Sequence, residues 1–276
     1  SDLRGRRILI HSEQGLGDTM QFIRFAPMLA ERGGRVIFFC HMELARLLQN
    51  FPHLEQFVPF GQPLPEADVH SPLLSLPNAL KIAGRIPAPH SYITPEENLV
   101  RKWSQRLPAS GVRVGIAWAG RPDHRNDRNR SMPLKSLARL FEIPGVHFFS
   151  LQKGPSATQI KELAIATLTD WTNELTDFAE TAALIASLDL VIAVDTAVVH
   201  LAGAMGKPVW ILLPYVPDWR WMLDRTDSPW YPTARLFRQS SRGDWSGVVD
   251  RVAEALRLFD PGPTSAPRGP ATPRGC

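Results

Sequence analysis

Short apolar segments alternate with longer segments of helical periodicity along most of the chain. The pattern of the first half predicts strands at residues 7–11, 36–40 and 56–60 and helices at 19–32, 44–50 and 96–106. The pattern of the second half predicts strands at 112–118, 146–151, 190–194, 209–213 and 235–237 and helices at 134–141, 157–166, 177–188 and 248–258. Strands that alternate with helices are typical of doubly wound parallel sheets, so an α/β fold is predicted.

The chain divides into two such α/β units. The stretch from 61 to 95 is rich in proline and less periodic, and we interpret it as shorter elements that end in a linker. We therefore expect one Rossmann-like domain over residues 1–108 and a second over 109–259. The Pro/Gly-rich tail, 260–276, is predicted to be disordered.

The first loop with candidate chemistry follows the strand at 7–11 and reads Gly15-Leu16-Gly17-Asp18 after Gln14. Two glycines at a strand end permit a tight turn and a close approach of substrate. The third glycine of a dinucleotide fingerprint is missing. Asp18 stands at the start of the next helix, where it either caps the N-terminus or acts as a general base. The residues alone leave both interpretations open.

The second loop, Asp195-Thr196, follows the most apolar strand of the second half. Doubly wound folds bind ligands at this end of a strand. The backbone N–H groups of Thr196, Ala197 and Val198 suit a diphosphate, because a helix N-terminus carries a partial positive charge. A plain capped helix is an equal alternative, and His200, one turn further on, is either structural or functional.

Two cationic loops also follow predicted strands. Lys153 comes directly after the strand at 146–151, where it either neutralises a phosphate or is a solvated loop lysine. Segment 120–131 contains Arg128 and Arg130, whose guanidinium groups can bind phosphate or sugar hydroxyls. Charge-rich loops are commonly only solvated, so both interpretations stay open.

Aromatic residues are concentrated near the end of the second half. Trp219, Trp221 and Trp230 either stack on a base or sugar or anchor the domain edge, and we favour anchoring for the last two. No Asp-x-Asp pair and no His/Cys cluster with ligand spacing occurs in the sequence. We therefore expect no metal and no cofactor.

Composition bounds the class of protein. The chain has 276 residues, 44% of them hydrophobic and 21% charged, with a formal net charge of +4. These values suit a soluble protein of two α/β domains that binds a phosphorylated ligand. The basic residues form no dense stripe with interleaved aromatics, so nucleic acid is not an expected partner. No transmembrane segment or signal peptide is predicted, and we expect a cytoplasmic protein.

Taken together, these motifs resemble glycosyltransferase family 9, the heptosyltransferase-like group. The resemblance rests on Gly15-Leu16-Gly17-Asp18, on the segment 195–204 and on Gly206-Lys207-Pro208-Val209. The segments 13–18, 124–131, 150–154 and 217–221 are similar to a bacterial subgroup whose domains commonly follow tetratricopeptide repeats. The resemblance covers roughly residues 6–259.

The resemblance implies a GT-B fold, in which two Rossmann-like domains with parallel sheets face each other across a cleft. It implies an inverting, metal-independent transfer of a hexosyl or heptosyl group from a nucleotide sugar to a glycan or protein hydroxyl. The N-terminal domain would hold the acceptor and the C-terminal domain the donor. Upstream tetratricopeptide repeats are the partner module that the resemblance suggests in a full-length chain.

The resemblance also implies roles for single residues. Asp18 matches the catalytic carboxylate, and Gln14, Gly15 and Gly17 belong to its loop on the acceptor side. Thr196, Ala197 and His200 match the donor-phosphate loop, which Asp195 precedes. Heptosyltransferases usually have glycine where Ala197 stands, but the backbone N–H remains available. Lys153, Arg128 and Arg130 are further candidates for donor binding.

Two other functions remain as alternatives. A nucleotide-sugar epimerase would need an acid/base pair near the sugar, and Asp18 is the only obvious carboxylate at the cleft mouth. A non-catalytic binding domain would not need Asp18 beside the donor loop. The sequence leaves open the nucleobase, the sugar and the acceptor.

Overall fold

The computed structural model describes residues 3–82, 86–163 and 165–262. The strands are β1 (Arg7–His11), β2 (Arg35–Cys40), β3 (Leu54–Pro59), β4 (Val69–Pro72), β5 (Val112–Ala117), β6 (Val146–Ser150), β7 (Leu168–Thr169), β8 (Leu190–Val194), β9 (Val209–Leu213) and β10 (Ala234–Arg238). They form two parallel sheets, with the order β3-β2-β1-β4 in the first and β10-β9-β8-β5-β6-β7 in the second. The predicted alternation of strands and helices is therefore confirmed in both halves.

The helices lie between these strands. They are α1 (Leu16–Phe22), α2 (Ala26–Glu31), α3 (Ala45–Leu48), α4 (Leu76–Ala79), α5 (Glu97–Ser104), α6 (Asp127–Arg130), α7 (Ala138–Phe141), α8 (Gln159–Leu163), α9 (Phe178–Ala186), α10 (Ala197–Ala204) and α11 (Trp245–Arg257). Short 3-10 helices span Ile23–Phe25, Met42–Leu44, Leu73–Ser75, Leu134–Leu137, Pro155–Thr158 and Trp219–Trp221. Most of the predicted tail lies outside the described residues, which end at 262.

The helix predicted at 19–32 begins earlier and is interrupted. It starts at Leu16, with Gly15 as an extended N-cap residue (φ −73°, ψ 171°). The chain then passes through the 3-10 helix Ile23–Phe25 before α2, whose first turn contains Pro27. Pro27 has no backbone N–H and cannot continue the hydrogen-bond ladder of α1, which accounts for the break.

The proline-rich stretch 61–95 contains a strand, β4, that the hydrophobic pattern did not predict. β4 pairs with β1 in parallel, from Ile8 opposite Val69 to His11 opposite Pro72. It forms the edge of the first sheet. An edge strand tolerates proline, and its half-exposed residues need no apolar alternation.

The central position of β8 in its sheet explains why the sequence of this strand is apolar throughout. All five of its residues are buried. Leu190, Ile192 and Val194 belong to the core beneath α11, whereas Val191 and Ala193 belong to a core that includes α9 and α10. A central parallel strand covered on both faces requires such a continuous apolar run.

The second of these cores continues into the first domain and joins the two sheets. Helix α1 packs against helix α10. The backbone N–H groups of Tyr92 and Ile93 both donate to the carbonyl of Ala204 at the end of α10, at 2.8 and 3.1 Å. The Trp103 indole on α5 donates to Glu180 on α9 at 2.7 Å. Three contacts therefore set the position of one sheet relative to the other: Tyr92 and Ile93 with the end of α10, α1 with α10, and α5 with α9.

We predict that Gly203→Ala destabilises the packing of α10 against Tyr231 within the second domain. A Cβ at this position on α10 would lie 2.4 Å from Cγ of Tyr231, whose ring is fully buried. Overpacking of this kind costs about 1–3 kcal/mol of unfolding free energy. Chemical denaturation measures the change, with Glu254→Ala on the exposed face of α11 as the control, expected within about 0.5 kcal/mol of wild type. An unchanged midpoint for Gly203→Ala would contradict the packing described here.

A second prediction concerns Lys207, whose amine donates to the carbonyl of Ala186 at 3.0 Å. Burial lowers the pKa of Lys207 from 10.5 to about 8. Between those pH values the unfolded chain binds the proton that the native lysine has released, so the unfolding free energy contributed by Lys207 rises with pH. Above pH 8, the unfolding free energy of wild type relative to that of Lys207→Met should rise by on the order of 1 kcal/mol per pH unit. Denaturation at several pH values tests this, and exposed Lys161→Met should show no such difference.

Candidate active site

The loop after β1 places Asp18 in the first turn of α1. Its Oδ2 accepts a hydrogen bond from the backbone N–H of Gly15 at 2.9 Å. The carboxylate therefore forms part of a capping box as the third residue of α1, and Asp18 is not the N-cap residue that one interpretation of the sequence made it. Its other oxygen remains available for a second partner, so capping does not exhaust this side chain.

The second partner of Asp18 is Arg220, which comes from the other domain. The Arg220 guanidinium donates to Asp18 Oδ1 in an ion pair across the cleft. It also donates to Gln21 Oε1 on α1 at 2.7 Å and to Asp218 Oδ1 at 2.8 Å. Arg220 is only 9% exposed. This residue was not among the predicted site residues, because a contact across about 200 positions leaves no local pattern.

Gly17 lies at a close contact between the two domains. A Cβ at this position would lie 2.6 Å from Cδ2 of His200. His200 lies on α10, one turn after Thr196. The glycine therefore permits the first turn of α1 to meet the first turn of α10, which brings the Asp18 loop and the Asp195 loop to the same place.

Asp195 and Arg130 meet on the side of this contact that belongs to the second domain. The guanidinium Nη1 of Arg130 donates to the backbone carbonyl of Asp195 at 2.9 Å. The Asp195 side chain is 14% exposed. Burial raises the pKa of its carboxyl, and the neighbouring Trp221 indole and Arg130 guanidinium oppose that shift. Trp221 Nε1 nevertheless makes no hydrogen bond of acceptable geometry within the described chain.

The N-terminus of α10 has the polar groups that an anion requires. Thr196 is its N-cap residue in an extended conformation (φ −141°, ψ 173°). The Thr196 Oγ1 atom is buried and has no hydrogen-bond partner among the described residues. Helix geometry also leaves the N–H groups of Ala197 and Val198 without a partner inside the helix. This helix end can therefore supply a hydroxyl, backbone donors and a partial positive charge to one ligand.

His200 is buried in a neutral state behind this helix end. Its Nδ1 lies 2.8 Å from the Tyr231 hydroxyl, and its ring stacks on Trp221 with centroids 5.5 Å apart. Burial, and then the guanidinium groups of Arg220, Arg24 and Arg130, hold the pKa of His200 well below 6.5. His200 Nε2 lies 3.9 Å from Asp195 Oδ1, which is too long for a hydrogen bond.

The remaining predicted cations occupy different positions. Lys153 follows β6, two strands from β8, and its amine donates to the carbonyl of Thr172 at 2.6 Å. Two strand spacings put it roughly 10 Å from the Asp195 loop along the same sheet edge. Arg128 is exposed on α6. The structure therefore brings Arg130, rather than Arg128 or Lys153, into direct contact with the Asp195 loop.

The residues around Gly15 have unequal roles. Gln14 is exposed. Glu13, which was not predicted as a site residue, accepts from the backbone N–H groups of Leu73 and Leu74, both at 3.0 Å. Glu13 therefore ties the loop to the segment after β4 and holds its shape.

Two further polar residues were missed by the sequence analysis. Buried Gln152 accepts from the N–H groups of Trp118 and Ala119, each at 2.9 Å, and so holds the β5 and β6 loops together. His41 follows β2, has a buried Nδ1 without a hydrogen-bond partner in the described chain, and interacts electrostatically with Asp18. Burial lowers the pKa of His41, so its ring is a neutral polar group of the first domain near Asp18.

Two features are absent from the part of the chain that the structure describes. No group of three or more His, Cys, Asp or Glu side chains is arranged to hold a metal ion within residues 3–82, 86–163 and 165–262. No helix in these ranges has the length and apolar character needed to cross a membrane.

Known proteins match the chain in both sequence and fold. The family model described as glycosyltransferase family 9 (heptosyltransferase) matches residues 148–216, which include β8 and α10. Protein FlbA of Caulobacter vibrioides is 28% identical over an alignment of 293 residues that covers 94% of this chain and 47% of that protein. The chain thus spans about half the length of the curated relative it matches.

Solved structures share the whole architecture. A glycosyl transferase family 9 protein of Veillonella parvula has a TM-score of 0.67 at 12% identity, covering 94% of this chain and 99% of that one. ADP-heptose lps heptosyltransferase II of E. coli has a TM-score of 0.66 at 16% identity, covering 91% and 98%. These likenesses confirm the predicted GT-B fold. The chain therefore is a GT-B protein with a match to glycosyltransferase family 9 (heptosyltransferase) over residues 148–216, and the two findings together support a glycosyltransferase.

Proposed function

We propose that this chain is an inverting glycosyltransferase that moves a sugar from a nucleotide-sugar donor to an acceptor hydroxyl without a metal ion. One observation carries the proposal. The Asp18 carboxylate and the N-terminus of α10 come from different domains, and the contact between Gly17 and His200 holds them side by side. A base for the acceptor and an anion site for the donor thereby share one cleft.

The donor diphosphate occupies the N-terminus of α10. The backbone N–H groups of Ala197 and Val198 and the Thr196 hydroxyl donate to its oxygens. Arg130, which already contacts the Asp195 carbonyl, adds a positive charge at the same place. Lys153, after β6 at the same sheet edge, is a further candidate to bind the donor phosphates.

Asp18 is the general base of the transfer. Its carboxylate takes the proton of the acceptor hydroxyl while the hydroxyl oxygen forms a bond to the anomeric carbon of the sugar. The bond from that carbon to the diphosphate oxygen breaks at the same time, and its electron pair leaves with the nucleoside diphosphate. The attack comes from the face opposite the leaving group, so the anomeric configuration inverts.

Arg220 is the positioning residue for this base. Its guanidinium donates to one carboxylate oxygen of Asp18 and to the amide oxygen of Gln21. The Asp18 carboxylate therefore cannot rotate freely about its side-chain bonds. The guanidinium also lies close enough to His200 to lower the pKa of that residue. Arg220 thus links the base in the first domain to the diphosphate site in the second.

Fixed dipoles and guanidinium groups take the role that a metal ion has in other transferases. Preorganised donors stabilise developing negative charge without reorganisation at the moment of reaction. The solved relative from E. coli is named for ADP-heptose, which makes an adenine nucleotide the first donor to test. The hexosyl or heptosyl group, the acceptor, upstream tetratricopeptide repeats and a cytoplasmic location remain further proposals.

Calorimetric binding of ADP, UDP, GDP and CDP, each with and without EDTA, tests the proposal first. Tight binding of one nucleotide that EDTA does not change would support a metal-independent transferase. Binding that requires a divalent ion would contradict the metal-independent mechanism. Turnover of a nucleotide sugar to its epimer, with no acceptor present, would favour the epimerase, and binding without any turnover would favour a non-catalytic domain.

We predict that Asp18→Asn abolishes transfer but leaves nucleotide diphosphate affinity within about threefold of wild type. Asparagine retains the shape and the hydrogen bond to Gly15, but it cannot accept the proton of the acceptor. A loss of at least about 100-fold in turnover is expected from removal of a general base. Release of nucleoside diphosphate measures turnover, with exposed Asp227→Asn as the matched control. Unchanged turnover in Asp18→Asn would eliminate Asp18 as the base.

We predict further that Arg130→Ala weakens nucleoside diphosphate binding about tenfold or more, because a charge-assisted hydrogen bond is worth roughly 1.5–3 kcal/mol. Arg128→Ala, two residues away and exposed, is the matched comparison and should change affinity less than twofold. Calorimetry on both variants provides the measurement. Equal losses in the two variants would show that the loop acts only through its net charge.

A further inference from the structure

The loop after β9 exposes an unusual set of apolar side chains. Tyr215, Val216, Trp219, Met222 and Leu223 are 50%, 57%, 61%, 43% and 66% exposed. We call these five residues the apolar loop surface. Scattered exposed hydrophobic residues are ordinary, but several within one loop mark a site of interaction.

The loop that bears this surface is held firmly. Trp221 is fully buried and stacks on His200, and the Trp221 carbonyl accepts a hydrogen bond from the Arg238 guanidinium. Arg238 also donates to the carbonyl of Arg225 at 3.2 Å. Met222 is held at φ +54°, a conformation that costs free energy in a residue with a side chain. These contacts fix the conformation of the loop, so its apolar side chains are held in exposed positions.

The apolar loop surface adjoins the proposed base. The Arg220 guanidinium carbon lies 5.0 Å from the centre of the Trp219 ring, and the same guanidinium holds Asp18. A molecule that lies against Trp219 would therefore reach the Asp18 carboxylate within one or two residue lengths. Trp219 belongs to the second domain, in a loop one strand from the Asp195 loop, and through Arg220 it adjoins the proposed base in the first domain.

The charges of the loop restrict what can lie there. Arg220 is paired with Asp18 and Asp218, and Arg225 is paired with Asp227 at 2.7 Å. The cations of this loop are therefore committed to carboxylates. An anionic lipid headgroup or a phosphorylated glycan would find acidic side chains and no uncommitted arginine in this loop.

The apolar atoms restrict the partner further. A sugar ring can stack on Trp219, but it has no apolar surface to cover Val216, Met222 and Leu223. A polypeptide segment with aliphatic side chains covers all of them and can present a serine or threonine hydroxyl between them. Neutral apolar side chains also suit a loop whose two arginines, Arg220 and Arg225, are paired with carboxylates.

We infer that the apolar loop surface docks a polypeptide acceptor, an extended segment in which apolar residues flank the hydroxyl that receives the sugar. The inference rests on the proposed transferase function and specifies its acceptor class. It assigns Val216 and Leu223 to acceptor specificity, because they are far exposed and serve no evident packing role.

The test is binding of synthetic peptides to the full chain, residues 1–276. An array presents a central serine or threonine flanked either by leucine and valine or by charged residues, and fluorescence anisotropy gives the dissociation constant of the best peptide. We expect selection of apolar flanks and a loss of affinity of at least about tenfold in Val216→Ser/Leu223→Ser. The matched control is Leu258→Ser, at a leucine 86% exposed beyond α11, with unchanged affinity. The single substitutions provide a second measurement if the double variant folds poorly.

Each other outcome overturns the inference. Binding to phosphatidylglycerol or phosphatidylcholine vesicles that the double variant loses would assign the surface to lipid. Binding of maltohexaose lost in the same variant would assign it to glycan, and a dimer in sedimentation that the variant abolishes would assign it to a second copy of the chain. Equal peptide affinity in both variants, or none in wild type, would also exclude a peptide site here.

The outcome for the acceptor is separable from that for the transferase. Nucleoside diphosphate affinity is measured on the same double variant and should match wild type, because the double variant leaves Arg130 and the α10 N-terminus, the proposed diphosphate ligands, unchanged. Peptide binding without binding of any nucleotide would refute the proposed transferase alone. Nucleotide binding without peptide binding would refute the polypeptide acceptor alone.

Discussion

The contact between Gly17 and His200 is the constraint on which the rest of the site depends. Two Rossmann-like domains can be joined at many angles, but here the first turns of α1 and α10 meet because position 17 has no side chain. Both helices begin at the carboxyl end of a parallel strand, where such folds place ligands. Their contact makes two separate strand ends into one cleft.

Buried positive charge is the second organising feature of that cleft. Arg24 donates to the carbonyls of Gln21 and Trp230 and to the Tyr92 hydroxyl rather than to a carboxylate. Burial, reinforced by Arg220, Arg24 and Arg130, lowers the pKa of His200 and keeps its ring neutral. Guanidinium groups retain their charge at any physiological pH. The cleft therefore attracts an anion even at a pH where a histidine would be neutral.

The loop after β9 contains buried and exposed residues side by side. Arg220 and Trp221 are buried, and Arg220 connects the domains through Asp18, whereas Trp219, Met222 and Leu223 are exposed. The contacts of the buried residues fix the geometry of the exposed ones. Under the proposed function, this loop would therefore couple the positioning of the base to the recognition of the acceptor.

The sequence by itself determined the two parallel sheets, most element positions and the loops that carry Asp18 and Asp195, because these depend on local apolar alternation and on residues at strand ends. Only the tertiary structure revealed that Arg220 pairs with Asp18 and that Gly17 leaves room for His200. It showed that Arg130, rather than Arg128, contacts the Asp195 loop. It also revealed β4 and the break after α1, where edge position and Pro27 override periodicity. The physical reason is the same for the whole site: its decisive contacts join residues far apart in the chain, and no local pattern encodes which distant groups a fold brings together.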